Sequence, residues 1–181
     1  MTISLKASLQ GASLRRYLEL LRMLVERNLK GRYRGSFLGV YWSLLNPLIM
    51  TGLYAAIFGT AFAQYYDNST FNYILAAFTG LIVINFFSSS TNQALGSVVG
   101  NGALLNKVRL PITIFPVSMI VANIFQFVMG PLPLLAIVTL IVSKNPLNVI
   151  ALIFPLIALS FVCTGVGFFV SALYVLSLIH I

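Results

Sequence analysis

The sequence predicts an all-α polytopic membrane protein, in which an N-terminal amphipathic interfacial helix precedes four transmembrane helices. Three observations predict this class. Hydrophobic residues make up 59% of the 181 residues. Only 8% of the residues are charged, too few to cover a water-soluble chain of this size with polar surface. Eight of the eleven lysines and arginines lie at or before Arg34, and long uncharged segments follow them.

The first element is an amphipathic helix over residues 14–30. Leucines recur on one side of this segment at helical spacing, while Arg15, Glu19, Arg22, Glu26 and Lys30 recur on the other. We expect it to lie in the cytoplasmic interface, with its leucine side in lipid or against the spans. The alternative is an ordinary amphipathic helix packed on another protein domain. Residues 1–36 thus form a basic cytoplasmic segment, and residues 37–181 form the transmembrane domain.

A boundary motif joins these two regions, where a basic segment gives way to an apolar one. Amphipathic aromatic rings favour headgroup depth, and cations stay on the cytoplasmic side. A proline inside the first span removes one helical hydrogen bond and predicts a local bend. The motif consists of Arg32, Tyr33, Arg34, Gly35, Trp42, Asn46 and Pro47.

Four uncharged windows follow, and each exceeds the ~20 residues needed to cross the bilayer. We predict spans at residues 40–63, 73–95, 112–142 and 149–176. The third is about 31 residues long and would measure about 46 Å as a straight helix. Because it also contains Pro116, Pro131 and Pro133, we expect it to tilt or kink.

Small residues predict the faces through which two of the spans pack, because they let helix backbones approach closely in lipid. Chance is the alternative in a chain with 13 glycines. The two sets are Gly52, Ala56, Gly59 and Ala63 in the first span, and Ser160, Thr164, Gly167 and Ser171 in the fourth.

The connections between spans alternate in charge and so predict orientation. Residues 64–72 carry only Asp67 and residues 143–148 only Lys144, whereas residues 101–110 carry Lys107 and Arg109. The positive-inside rule therefore places the N-terminus and residues 101–110 in the cytoplasm. The clustering of cations at the N-terminal end is also typical of contact with anionic lipid. We therefore expect no nucleic-acid partner.

The sequence lacks the residues that several kinds of catalysis and transport require. The predicted spans contain no Asp, Glu, Lys or Arg, and the only histidine is His180. Intramembrane hydrolases and proton-coupled transporters need titratable groups at depth. With no metal-ligand cluster and no Gly-Lys-[Ser/Thr] run, we expect neither metal nor cofactor, and no ATP binding by a P-loop. The chain is not expected to be an enzyme, and energy for active transport must come from another polypeptide.

The boundary motif also carries a resemblance to a known family. Arg32-Tyr33-Arg34-Gly35-Ser36, Leu38-Gly39 and Trp42-Ser43-Leu44-Leu45-Asn46-Pro47-Leu48 resemble the start of the first span in ABC-2 type permeases that export polysaccharides. These are the membrane subunits of O-antigen, capsule and teichoic-acid exporters. The resemblance implies a homodimeric permease in the bacterial inner membrane that moves lipid-linked polysaccharide, with ATP hydrolysed by a separate ATP-binding subunit.

The resemblance extends through residues 104–116, and residues 101–111 are similar to the family loop that touches the ATPase. It implies a coupling role for Leu104, Leu105, Lys107 and Arg109. The family often has an Arg-Glu pair just after the first proline of this region, where this chain has Ile112 and Thr113. Plain positive-inside anchoring is an equally good reading of each cation taken alone.

The first span and its flanks are rich in aromatic residues, which can stack on sugar rings. Membrane-belt or packing roles are the commoner alternative for such residues. The candidate channel residues are Tyr41, Tyr54, Phe58, Phe62, Tyr65 and Tyr66.

Two other functions stay open at this point: an ABC-2 permease for drugs or small lipids, and a non-transporting membrane assembly subunit. Family members have six spans, with a charged cytoplasmic segment soon after the tripeptide that matches Ser171-Ala172-Leu173. No cation follows that tripeptide here. We therefore expect the chain to be a fragment of a six-span permease, with a genuine four-span protein as the alternative.

Overall fold

The computed structural model describes residues 2–33, 41–107 and 110–179, and all regular structure in these ranges is helical. The predicted all-α class is confirmed. Eight α-helices follow one another along the described chain, with a short 3₁₀ turn at Val99–Asn101. They are α1 (Thr2–Tyr33), α2 (Trp42–Ala63), α3 (Thr70–Ser97), α4 (Gly102–Leu105), α5 (Ile114–Met129), α6 (Pro131–Ser143), α7 (Pro146–Ala151) and α8 (Ile153–Ile179).

Three segments of the described chain are long and apolar enough to cross a membrane: Leu44–Ala63, Thr70–Ser97 and Pro146–Leu178. The pair α5 and α6 passes the same test together and is bent by 40° at a short break. Counting that pair as one broken span, up to four segments can cross. The protein is therefore a multi-pass membrane protein.

The bend between α5 and α6 has a local chemical cause. Gly130 stands between the two helices at φ −103° and ψ −84°, and its N–H still donates to the Gln126 carbonyl at 2.9 Å. Pro131 and Pro133 follow and have no N–H. The carbonyls of Phe127 and Met129 therefore have no helical N–H donor, because the residues four positions later are these two prolines. The kink expected in this span therefore falls at its middle.

Helix α3 is the centre of the bundle and packs against α2, α5 and α8. Its buried side chains recur about every four residues at Phe78, Ile82, Phe86, Ser90 and Ala94. The three large side chains among them, Phe78, Ile82 and Phe86, form the main apolar core. Phe127 of α5, Leu135 of α6 and Cys163 of α8 complete this core. The rings of Phe86 and Phe127 lie edge to face with centroids 5.1 Å apart.

The small residues of α8 pack as the sequence predicts. Gly167 is buried, and a Cβ atom built on it would lie 3.0 Å from the Ala94 Cβ and 3.3 Å from the Ile120 Cδ1. Ser171 is buried, and Ser160 and Thr164 are half-buried. This stripe therefore faces α3 and α5.

The small residues of α2 agree only in part. Gly59 and Ala63 are buried, and a Cβ atom on Gly59 would lie 3.0 Å from the Thr70 Cγ2. Gly52 and Ala56 are exposed, so they do not contribute to helix packing within this chain. The packed side of α2 instead repeats every four residues through Pro47, Thr51, Ala55, Gly59 and Ala63.

Helix α1 is longer than the predicted amphipathic segment and packs along α5. Leu24 is buried in a second core cluster with Val98, Ile114 and Phe115. Leu14 and Leu18 are 61% and 53% exposed, so they lie away from this contact. One side of the leucine-rich face is thus held by the bundle, and the other is free for lipid.

Candidate functional site

The apolar helices carry uncharged polar side chains that gather on one side of the bundle. Asn85, Ser89 and Gln93 follow one another four residues apart on α3, and Asn123 and Gln126 lie three residues apart on α5. Four residues is about one helical turn, so the α3 residues share one side of that helix. Asn85 and Gln93 are about 12 Å apart along the axis. The polar side therefore runs from the middle of α3 towards its C-terminal end.

A cavity of about 550 Å³ lies beside this polar side, between α2, α3 and α5. Its walls mix amide and hydroxyl groups with apolar side chains. Asn123 is buried, while Asn85 and Gln126 are half-buried. The lining residues are Leu45, Asn46, Pro47, Ile49, Ile82, Asn85, Phe86, Ser89, Asn123, Gln126, Phe127 and Pro131.

Arg32, near the C-terminal end of α1, reaches into the polar side chains. One terminal nitrogen, Nη1, donates to Asn123 Oδ1 at 2.8 Å and to Gln126 Oε1 at 2.9 Å. The other, Nη2, donates to Gln93 Oε1. Asn123 Nδ2 also donates to Gln93 Oε1 at 3.2 Å, which joins the acceptors to one another. We call Arg32, Gln93, Asn123 and Gln126 the arginine clamp.

Two further contacts hold α1 to the bundle. Arg27 Nη2 donates to Asn101 Oδ1 at 2.6 Å, which connects α1 to the turn after α3. Asn28 Nδ2 donates to Ser118 Oγ at 3.2 Å, and the Ser118 hydroxyl donates to the Phe115 carbonyl at 2.8 Å. Together with the arginine clamp, these contacts connect α1 to α3, to the following turn and to α5.

The residues of the boundary motif occupy different places in the structure. Arg32 is in the clamp, and Asn46 and Pro47 line the cavity. Tyr33 is the last residue of α1 and Trp42 the first of α2. Arg34 and Gly35 lie outside the described residues.

The candidate coupling residues occupy two different environments. Leu104 and Leu105 belong to α4, are half-buried, and pack into the cluster around Leu24 of α1. Lys107 is exposed. Arg109 lies outside the described residues. The leucines therefore hold the segment against the bundle, while Lys107 is accessible to a partner.

Five of the six candidate channel aromatics form a connected series of rings on and after α2. Centroid distances are 6.2 Å for Tyr54 to Phe58, 5.7 Å for Phe58 to Phe62 and 6.2 Å for Phe62 to Tyr65. Tyr73 of α3 completes the series, since its ring lies 5.8 Å from both Phe62 and Tyr66. We call these six residues the aromatic series.

The exposure of the aromatic series distinguishes it from core packing. Phe58, Phe62 and Tyr66 are between 38% and 42% exposed, and Tyr65 is 72% exposed. Tyr41 is also exposed but lies before the first turn of α2, at the opposite end of that helix.

Sequence reasoning missed the clamp acceptors Gln93, Asn123 and Gln126, the mid-span Asn85, and Tyr73. The available signal was spacing, because Asn85, Ser89 and Gln93 recur every four residues inside an apolar span. Chemically, the assembled site offers neutral hydrogen-bonding groups beside one cation. Within the described ranges, no group of three or more His, Cys, Asp or Glu side chains is placed to hold a metal ion.

Three curated relatives are similar to this chain, and each is described as an O-antigen export system permease protein RfbA. One from Myxococcus xanthus is 33% identical over 165 residues, covering 91% of this chain and 60% of the relative. Two from Klebsiella pneumoniae are 28% identical over 128 residues and 30% identical over 109 residues. They are matched over 71% and 60% of this chain and over 48% and 40% of their own lengths. The chain thus spans about half the length of these relatives.

The profile of the ABC-2 type transporter family matches residues 19–176. The match includes the C-terminal part of α1, the cavity, the arginine clamp and nearly all of α8. It agrees with the helical membrane architecture and with the resemblance carried by the boundary motif. The chain belongs to the ABC-2 type transporter family.

Proposed function

We propose that this chain forms part of the permease of an ABC exporter that moves lipid-linked polysaccharide across the bacterial inner membrane. The polysaccharide is of the O-antigen, capsule or teichoic-acid type. The observation that carries this proposal is the similarity over 91% of the chain to a protein described as an O-antigen export permease. Membership of the ABC-2 family supports the transport role.

The aromatic series supports a carbohydrate substrate. Exposed aromatic faces offer flat apolar surfaces on which sugar rings can stack. On α2, Tyr54, Phe58 and Phe62 present such faces about one turn apart. The polysaccharide would pass this series in the outer half of the membrane, where a second copy of the permease completes the channel.

An ATP-binding subunit supplies the energy in this proposal. The segment around α4 is the docking site, with Lys107 accessible and with Leu104 and Leu105 fixing the segment against α1. Force applied by the partner to α4 would reach α1 through these leucines and through the hydrogen bond from Arg27 to Asn101. The N-terminus and α4 face the cytoplasm, as the cation distribution favours.

Deletion of the gene in its native bacterium tests the proposal. We expect surface polysaccharide, measured by antibody or lectin binding to intact cells, to fall below detection. Lipid-linked polysaccharide should accumulate inside, measured in extracts of spheroplasts. A plasmid copy should restore export. Substitution of the P-loop lysine in the ATP-binding partner should reproduce the deletion.

Two outcomes would contradict the polysaccharide assignment. Normal surface polysaccharide with increased sensitivity to drugs would indicate export of small amphiphiles. Loss of polysaccharide from the inside as well as the surface would indicate a role in assembly.

A further inference from the structure

The cavity places polar groups at a depth where a membrane supplies no hydrogen-bond partners. Asn85 lies near the middle of α3, and its Nδ2 donates to the Leu81 carbonyl at 2.8 Å, which leaves its side-chain oxygen available. A polar oxygen is costly in an apolar environment unless it has a hydrogen-bond partner or water. Ser89, one turn further on, is exposed towards the same space. These groups indicate contact with water.

The break between α5 and α6 lies beside the same cavity. Phe127 lines the cavity. Its carbonyl has no helical donor, because the residue four positions later is Pro131, which has no N–H. Non-helical backbone at membrane depth is tolerated where it is buried in protein or lines a water-filled space. The cavity of about 550 Å³ is far larger than the ~30 Å³ that one water occupies in the liquid.

Arg32 bridges the two helices that flank one end of this space. Its guanidinium joins Gln93 of α3 to Asn123 and Gln126 of α5, and the last two also line the cavity. The planar fork of arginine suits several oxygen acceptors at once. The bridge is carried by α1, so it depends on where α1 lies.

We propose that the cavity is a water-accessible vestibule and that Arg32 is the plug that closes its end. When α1 lies against α5, the guanidinium fills the gap between α3 and α5. When α1 moves away, Arg32 leaves with it, and the gap between Gln93 and the two α5 amides opens to water. The neutral walls then admit uncharged polar groups.

The structure also suggests how the plug is moved. Arg27 lies about one turn and a half before Arg32 on α1 and donates to Asn101 in the turn that leads into α4. A displacement of α4 would thus pull α1 at Arg27. This step rests on the proposed function, because it needs an ATP-binding partner at α4; the plug itself does not.

Cysteine labelling tests the plug directly, because the chain has a single native cysteine, Cys163, which is buried. Cys163→Ala with Ser89→Cys places one thiol in the cavity wall. Maleimides react with the thiolate, which needs water. Membranes that contain the protein alone are opened and treated with a membrane-impermeant maleimide, and the labelling rate is measured.

Arg32→Ala should raise the labelling rate about tenfold or more, since losing even one hydrogen bond to a charged donor shifts an opening equilibrium by about that factor. Gln93→Ala removes one clamp acceptor and should raise the rate less. Arg22→Ala is the matched control, because Arg22 is exposed on the same helix and pairs with Glu26. It should leave the rate unchanged.

Folding of each variant is checked by gel filtration in detergent and by labelling of an Asn68→Cys site in the connection after α2. Equal labelling of Ser89→Cys with and without Arg32 would overturn the plug, whether both rates are fast or both are undetectable. If the rate responds to Arg32 but not to ATP in the presence of the partner, the plug stands and the proposed coupling through α4 is wrong.

Discussion

At the scale of single residues, Arg32 shows how one side chain can join three helices. Its donors reach acceptors that are 61, 91 and 94 residues away in the sequence. Arginine stays charged and presents five N–H donors in a plane, whereas lysine presents a compact point charge. A lysine at position 32 could not bridge the same oxygens with the same geometry. Arg32→Lys should therefore behave more like Arg32→Ala than like the wild type.

Gly167 gives a residue-scale prediction about helix packing. Gly167→Val should destabilise the bundle by about 1–3 kcal/mol, because the added atoms overlap tightly packed neighbours. A Cβ atom there would already lie 3.0 Å from the Ala94 Cβ. The measurement is unfolding in mixed micelles with increasing SDS, followed by circular dichroism.

Gly165 is the matched control for this substitution. It lies on the same helix, and a Cβ atom on it meets nothing within 4 Å. Gly165→Val should change stability by less than about 0.5 kcal/mol, as substitutions without new contacts do. Equal effects at the two positions would show that α8 does not pack on α3 through Gly167.

At the scale of elements, α4 packs against the bundle on one side, while the two residues that follow it are exposed to a partner. Leu104 and Leu105 are held by the cluster around Leu24, while Lys107 is exposed. Lys107→Ala with Arg109→Ala should weaken capture of the ATP-binding subunit about tenfold or more, since a lost hydrogen-bonded interface charge costs about 2 kcal/mol. Co-purification at several partner concentrations measures this.

Lys144→Ala controls for the loss of a cation elsewhere, because Lys144 ends α6 in a different connection. It should leave capture unchanged. A double variant at Lys107 and Arg109 that still captures the partner and exports normally would place docking elsewhere on the molecule.

The aromatic series is a second element with a distinct prediction. Phe58→Ala and Phe62→Ala should each slow polysaccharide export about two- to tenfold, the range that corresponds to about 0.5–1.5 kcal/mol for one aromatic contact. Phe161→Ala is the control, because Phe161 is 75% exposed on α8. Pulse labelling of surface polysaccharide gives the rates. Equal slowing by all three changes would argue against a stacking role.

The helices could be predicted from the sequence because their signals are local. Apolar windows and helical periodicity depend on neighbouring residues, so the all-α class and the broken third span follow from composition and prolines. The direction in which Leu104 points depends on α1, which is some 80 residues away in sequence. That direction could not be predicted.

The candidate site was only partly predictable for the same physical reason. Arg32, Asn46 and Pro47 belong to a local motif, and the sequence marks them. Gln93, Asn123 and Gln126 carry no charge, and their meeting point is set by how α3 and α5 pack. A search for charged groups within the spans passes over such amides, although their spacing was visible.

At the scale of the whole molecule, the orientation in the membrane decides which side the plug and α4 face. The plug opens to the cytoplasm and α4 meets an ATP-binding subunit only if both lie on the side of the N-terminus. Most of the cations precede α2, and cytoplasmic flanks favour Lys and Arg. The connection after α2 and the one after α6 should then lie outside.

Topology reporters test this most directly. Alkaline phosphatase is active only outside, and green fluorescent protein fluoresces only inside. Fusions of each are made after Asp67, Arg109 and Lys144, with expression measured by immunoblot. We predict phosphatase activity after Asp67 and Lys144, and fluorescence after Arg109. Fluorescence without phosphatase activity after Asp67 would show that α2 does not cross the membrane, which would contradict the account.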